Sequence, residues 1–115
     1  MDNENLFNEN EIFGEDEKER SKKRKPDVFI IKCVDKKFAK CGDVLHYASK
    51  IYNKGREPKC KLFFKDDLPC GTKFVCGSVK INGRRARKLE PEKGFFLPEL
   101  SCGESVIVEF DAEVI

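Results

Sequence analysis

The clearest hydrophobic rhythm lies at the end of the chain. In ESVIVEFDAEV (104–114), Val106, Val108, Phe110, Ala112 and Val114 alternate with Glu109, Asp111 and Glu113. A period of two puts one face of a strand on a core and the other in water. DVLHYASKIYN (43–53) keeps the same rhythm, with Leu45, Tyr47, Ser49 and Ile51 on one face and His46, Ala48, Lys50 and Tyr52 on the other. DVFIIKCV (27–34) is dense in β-branched and aromatic residues and predicts a further strand. Shorter runs predict strands over 59–64, over 73–82 with a kink or bulge at Cys76-Gly77, and over 94–100, where Pro98 ends the run. No segment carries a helical period of any length. Turn signals recur roughly every ten residues, so residues 27–115 are expected to form an antiparallel β-sandwich of six to seven strands.

Residues 1–26 break this pattern. They are dominated by Asn, Glu and Lys, a composition that stays disordered when it stands alone. Two apolar pairs interrupt it, Leu6-Phe7 and Ile12-Phe13. These four residues are candidates for an arm that docks on a neighbouring subunit by adding a strand to an exposed sheet edge.

Charge and length narrow the function classes. The net charge of +2 conceals an acidic leader, with eight acids against one lysine over residues 1–19. Residues 26–115 carry 17 Lys/Arg against 13 Asp/Glu, too mild an excess for a nucleic-acid footprint. The basic runs KKRK (22–25) and GRRARK (83–88) are short and hold no aromatic residues for base stacking. No apolar run approaches the ~20 residues of a membrane-spanning helix, and MDNENLFNENEIF lacks the basic and apolar regions of a secretory signal. A domain of about 90 residues buries only somewhat over 60% of its unfolded surface, so cross-links or neighbours matter to it.

Six cysteines in 115 residues are typical of an oxidising compartment. Reduced cytosolic thiols, metal ligation, and assembly followed by later oxidation all remain open. Cys41, Cys70, Cys76 and Cys102 are each followed by glycine, the residue that takes positive φ without penalty, so all four are expected on bends.

Lys32, Val34, Asp35 and Lys36 are followed by Gly42, Asp43, Leu45 and Tyr47, then by Asn53 and Gly55. Asp66, Leu68, Pro69 and Gly71 come next, then Gly77, Ser78 and Val79, and then Asn82, Gly83, Leu100 and Gly103. In this order and spacing the motifs resemble a repeat domain of bacterial surface proteins, catalogued as domain of unknown function eleven and also called the conserved Gram-positive surface repeat. The resemblance implies an immunoglobulin-like sandwich in structural or adhesive surface proteins, including spore coats and appendages, and no catalytic site. Family members usually occur as tandem copies with few cysteines; this chain has one copy, an N-terminal arm and six cysteines. A subunit made in the mother-cell cytosol and oxidised after lysis would accommodate those departures.

Tracing the strands alternately up and down places Cys41, Cys70 and Cys102 at one pole of the sandwich, with Cys33 nearby, Cys60 near the other pole and Cys76 between. All six are candidates for disulfide cross-links, and six cysteines allow 15 fully paired patterns. Zinc is disfavoured: 7, 18, 9, 5 and 25 residues separate successive cysteines, no CxxC pair occurs, and His46 is the only histidine. Nucleophilic catalysis is disfavoured because His46, midway along its strand and more in keeping with a plain surface histidine, is badly placed to serve the pole cysteines as a base. A spontaneous link from Lys32 to the last strand fails on register, since Asp111 has outward parity and that strand lacks Asn.

The sequence thus points to a structural, non-enzymatic subunit without metal or cofactor: a self-assembling sandwich of a bacterial surface or spore fibre, locked by intermolecular disulfides. Its expected partners are further copies and other surface or coat proteins, with no nucleic acid and no membrane insertion. Its expected place is the spore surface or an extracellular appendage, or the cytoplasm if the thiols stay reduced. The alternative is a monomeric adhesin-like module with intramolecular disulfides whose partner meets the GRRARK loop or a strand face; a cytosolic zinc-binding domain is a more distant third.

Overall fold

Alternation and β-branched content form two ten-residue strands that organise everything else. A computed structural model of the chain describes residues 7–10 and 27–115. In it β1 covers Phe7–Asn10, β2 Val28–Val34, β3 Val44–Asn53, β4 Phe63–Phe64 and β5 Thr72–Phe74. Then come β6 (Lys80–Ile81), β7 (Arg84–Arg85), β8 (Phe95–Phe96) and β9 (Ser105–Val114). There is no helix among the described residues. The chain is all-β and antiparallel, in two layers compatible with a β-sandwich: a large sheet ordered β1-β2-β3-β9-β6-β7, with β5 also on β9, and a small β4-β8 sheet.

β3 and β9 pair along their whole lengths, and their apolar positions fall opposite each other: Leu45 with Ala112, Tyr47 with Phe110, Ser49 with Val108, Ile51 with Val106. Ile51, Val106, Val108, Phe110 and Ala112 are essentially inaccessible to solvent. Phe64, Phe95, Leu97 and Leu100 of the second layer close on them, with the Phe64 and Phe95 rings 5.3 Å apart. The second layer is longer than its two-residue strands suggest. The bridge Lys59↔Leu100 and the bond from the Leu97 amide to the Leu62 carbonyl continue the register of Phe63↔Phe96, making one ribbon of 59–64 against 95–100.

The strand expected over 73–82 is two strands. Phe74 pairs with Ala112 but Lys80 with Glu109, so six steps along one strand answer three along β9 and three residues loop out around Cys76-Gly77. The expected kink is a full turn. β9 holds it in place: the Val75 amide bonds to the Asp111 carbonyl, and the Ser78 hydroxyl accepts the Asp111 amide.

The segment 83–93, which the alternating up-and-down trace holds at one pole, runs back toward the other. β7 folds back on β6, and the Asp66 amide then reaches the Pro91 carbonyl at the far end of the β4 ribbon. Pro91 is fully buried along this descent, and Ala86 and Leu89 pack against the core. This adds one reversal to the simple up-and-down trace, and everything after residue 94 lies inverted relative to it.

The N-terminal arm contributes to the sheet of its own chain. β1 pairs with β2, Phe7 opposite Cys33 and Asn10 opposite Ile30, and covers an edge that would otherwise present unpaired amides and carbonyls. Of the four docking candidates, Phe7 lies in this strand, while Leu6, Ile12 and Phe13 lie outside the described residues.

Candidate functional site

Four copies of one turn carry four of the cysteines. In 40–43, 69–72, 75–78 and 101–104 the amide of the fourth residue bonds to the carbonyl of the first, over 2.9–3.2 Å. Cysteine is always second and glycine third. Gly42, Gly71, Gly77 and Gly103 have φ of 93°, 88°, 78° and 80°, the positive value that the third residue of a type II turn requires. The spacing of Cys-Gly in the sequence therefore has a backbone cause. Polar side chains clamp the turns: Asp43 accepts the Lys40 amide, Glu104 accepts the Ser101 amide, and the Thr72 hydroxyl donates to the Pro69 carbonyl. Cysteine thus sits at the corner of a braced bend. Cys41, Cys70, Cys76 and Cys102 are all exposed, as is Cys60, and Cys33 is half-buried on β2; all six are free thiols.

The extra reversal corrects the expected clustering. Call the pole at the start of β3 the lower one. The turn 40–43 lies there, because the Gly42 amide bonds to the Val114 carbonyl and the Val114 amide to the Asp43 carbonyl. The turn 69–72 lies beside it, the Ile115 amide reaching the Gly71 carbonyl. Cys41 and Cys70 therefore flank the end of β9, as expected, and Cys33 is one position from the lower end of β2. Cys102 does not join them. Its turn is bonded to Asn53 at the upper end of β3 through the Gly103 amide, while Glu104 accepts the Asn53 amide. Cys60, next to the Lys59↔Leu100 bridge, shares that upper pole. Cys76 is on the flank, beside Asp111.

Asn53, wholly buried, builds the upper pole. Its amide group donates to the carbonyls of Glu57 (2.9 Å) and Leu100 (3.0 Å), and its side-chain oxygen accepts the Gly55 amide at 2.8 Å. A β-carbon on Gly55 would lie 2.7 Å from the Asp27 carboxyl carbon. The Asn-x-Gly motif is thus an Asx-type turn pressed against the start of β2. The resemblance includes Asn53 but not this role, whose only sequence signal is an Asn on the apolar face of a strand, directly before a loop.

His46 is more than a surface histidine. On the outer face of the large sheet its Nδ1 lies 2.7 Å from Asp111 Oδ1 and its Nε2 3.1 Å from Glu109 Oε2. The hydrogen bond to Asp111 leads in raising its pKa, with Glu109 adding to it against the opposing effect of burial. Both ring nitrogens are engaged by carboxylates rather than by any thiol. Asp111 faces outward, in line with its parity, and the Lys32 ammonium meets Asp66 instead, at 2.9 Å. Burial works against the ionised Asp35, yet the His46 amide and Lys36 outweigh it and lower its pKa. Burial raises the Tyr47 phenol, assisted by Asp66 and Asp35.

Two surface features lay outside the expected site. Phe38, 84% exposed, stands in the loop that leads to Cys41, and the exposed Phe63 and Phe96 stack edge-on across the outer face of the ribbon at 5.0 Å. Arg84 and Arg85 of the GRRARK run are exposed, Arg85 bonding to the Gly77 carbonyl. Among the described residues no group of three or more His, Cys, Asp or Glu is arranged to hold a metal, and no helix is long and apolar enough to cross a membrane. No protein-family model, curated protein or solved structure matches the chain.

Proposed function

We propose that the chain is a structural subunit: an immunoglobulin-like sandwich, akin to the repeats of bacterial surface proteins, that self-associates into a spore or surface fibre. Intermolecular disulfides lock the assembly. The observation that carries this reading is the Cys-Gly turn built four times, each presenting a thiol at an exposed corner. A cysteine kept for packing is buried; one held out by a braced turn is placed to meet something else.

The β2 edge supports a part for the arm. Backbone pairing joins β1 to β2, and the same segment of another copy offers the same pairing. Sixteen residues lie between Asn10 and Asp27. Fully extended they reach about 55 Å, farther than the 45 Å longest extent of the fold. An arm can therefore leave its own edge and complete that of the next subunit.

Oxidised, purified protein is expected to form a ladder on non-reducing electrophoresis that collapses with reductant, and fibres or sheets under the electron microscope. Deleting residues 1–20 is expected to leave a folded, soluble monomer. One fast-migrating band with no assembled particles would refute the reading. That result would favour the binding-module alternative, for which the exposed Phe63–Phe96 pair, at a groove that Phe63 lines together with Ile30 and Leu62, is the supporting feature.

A further inference from the structure

The two layers are unequal in width, and the difference leaves an opening beside β2. The small sheet has two strands, so the β4 side of its ribbon is an edge, and that edge lies beside Ile30 of β2. The Leu97 amide bonds to the Leu62 carbonyl, directly opposite it, so the next pair along, Phe63↔Phe96, is one that exchanges no hydrogen bonds. The Phe63 amide and carbonyl therefore point away from β8, and among the described residues neither has a partner. Beneath them Ile30, Ile51, Leu62, Phe64 and Leu97 line a groove of about 130 Å³. Ile30 and Leu62 pack against the core yet stay only half-buried. Two ion pairs tie β2 to this side of the ribbon, one beyond each end of the groove: Lys59 with Asp27 at 3.1 Å and Lys32 with Asp66 at 2.9 Å.

We infer that this groove is the seat of the arm's second apolar pair, Ile12-Phe13, supplied by the same chain. The arm is placed for it. β1 ends at Asn10, whose register partner is Ile30 of the groove wall. Glu11, Ile12 and Phe13, fully extended, add about 10 Å of reach, and two packed sheets stand about 10 Å apart. A chain that leaves the β2 edge after Asn10 therefore arrives at the β4 edge with Ile12-Phe13. There the Phe63 amide and carbonyl offer it backbone pairing, and it becomes a third strand of the small sheet. The chemistry agrees with the reach. An apolar cavity of about 150 Å³ accepts a benzene ring, so this groove has room for one large apolar side chain. Apart from Ile12, Phe13, Gly14, Ser21 and Pro26, every residue between Asn10 and Asp27 is charged.

The competing course is continued pairing along β2. In the register of β1 that would set Ile12 opposite Val28 and leave the Phe63 amide open to water. This one amide separates the two courses. The seat does not rest on the fibre reading, because a lone chain satisfies it.

Hydrogen exchange read residue by residue by NMR, on the full chain kept reduced, tests the seat. The Phe63 amide is expected to be protected at least tenfold over a free peptide amide. Combining Ile12→Ser with Phe13→Ser should accelerate its exchange at least tenfold, while the Leu97 amide, bonded to Leu62, is unchanged. An unprotected Phe63 amide in the wild type, no response to the double substitution, or an equal acceleration at Leu97 would each overturn the inference. Disulfide trapping then identifies which copy supplies the segment. The six natural cysteines are changed to Ser and folding is checked by circular dichroism. In a glutathione redox buffer Ile12→Cys and Leu62→Cys are expected to join as a monomer about 2 Da lighter. That bridge should form at least tenfold faster than one between Ile12→Cys and Ile107→Cys, the latter exposed on the outer face of the large sheet. Equal rates for the two pairs, or a product found only as a dimer, would overturn the assignment. Neither experiment requires assembly, so the seat can fail with fibres intact, and the fibre reading can fail with the seat intact.

Discussion

Replacing Asn53 by Ala removes three hydrogen bonds from the upper pole while leaving the β3 backbone in register. A hydrogen bond within a protein contributes about 1 kcal/mol net, so the first figure is about 3 kcal/mol. Two corrections follow from the surroundings. The Leu100 carbonyl keeps the Lys59 amide as a partner, and Glu57 is exposed, so water can reach its carbonyl. The Gly55 amide, half-buried, has no such substitute. A loss of about 2–3 kcal/mol is expected, or roughly 10–20 °C in melting temperature for a domain this small. Asn53→Asp separates hydrogen bonding from packing. It preserves shape and the acceptor for Gly55, but turns a buried carboxylate toward two carbonyl oxygens, and should cost at least as much as Ala. Urea denaturation under reducing conditions, followed by circular dichroism or tyrosine emission, measures both. A loss below about 1 kcal/mol for Ala, or a benign Asp, would refute the account of Asn53 as the clasp of that pole.

Three further outcomes follow from the geometry. His46 has its pKa raised in the folded state from an ordinary 6.5, so its contribution to stability is complete below about pH 6.5 and fades as pH climbs through the higher native value; at 40% exposure the amplitude stays below about 1 kcal/mol, and His46→Ala should flatten that pH dependence in urea titrations. Phe110→Ala should cost about 3–5 kcal/mol, because the ring is buried and stacks on Tyr47 at 5.3 Å, whereas Phe96→Ala, 65% exposed, should cost under about 1 kcal/mol; similar urea midpoints for the two would contradict the assigned core. Gly103→Ala should destabilise by about 1 kcal/mol through φ alone, since open space surrounds its Cα, while Cys102→Ser should stay within about 0.5 kcal/mol; the reverse order would mean that the cysteine, not the glycine, builds the turn.

The strands most legible in the sequence were those with something to alternate against. β3 and β9 declare their buried faces residue by residue, and their register follows from matching those faces. The descent through 84–94 was hidden because its anchors, Ala86, Leu89 and Pro91, are single apolar residues spaced through RRARKLEPEKG, with neither a helical nor a strand period. Missing it inverted the last quarter of the path and put Cys102 at the wrong end. β1 was hidden for another reason: FNEN has almost no intrinsic strand preference, and it pairs because β2 offers an open row of backbone groups. The bends at Cys-Gly could be read directly, since positive φ is a local demand. That the four bends are copies of one turn required the carbonyls and amides to be seen.

The braced Cys-Gly corner also separates two events in time. None of its sulfurs helps to fill the interior, so the chain gains its shape without waiting for an oxidant, and a reducing compartment is no obstacle to maturation. If copies are joined through these thiols as proposed, that step can be postponed until finished subunits already touch, and the permanence of the product would be set by where and when it meets an oxidant rather than by how it folds.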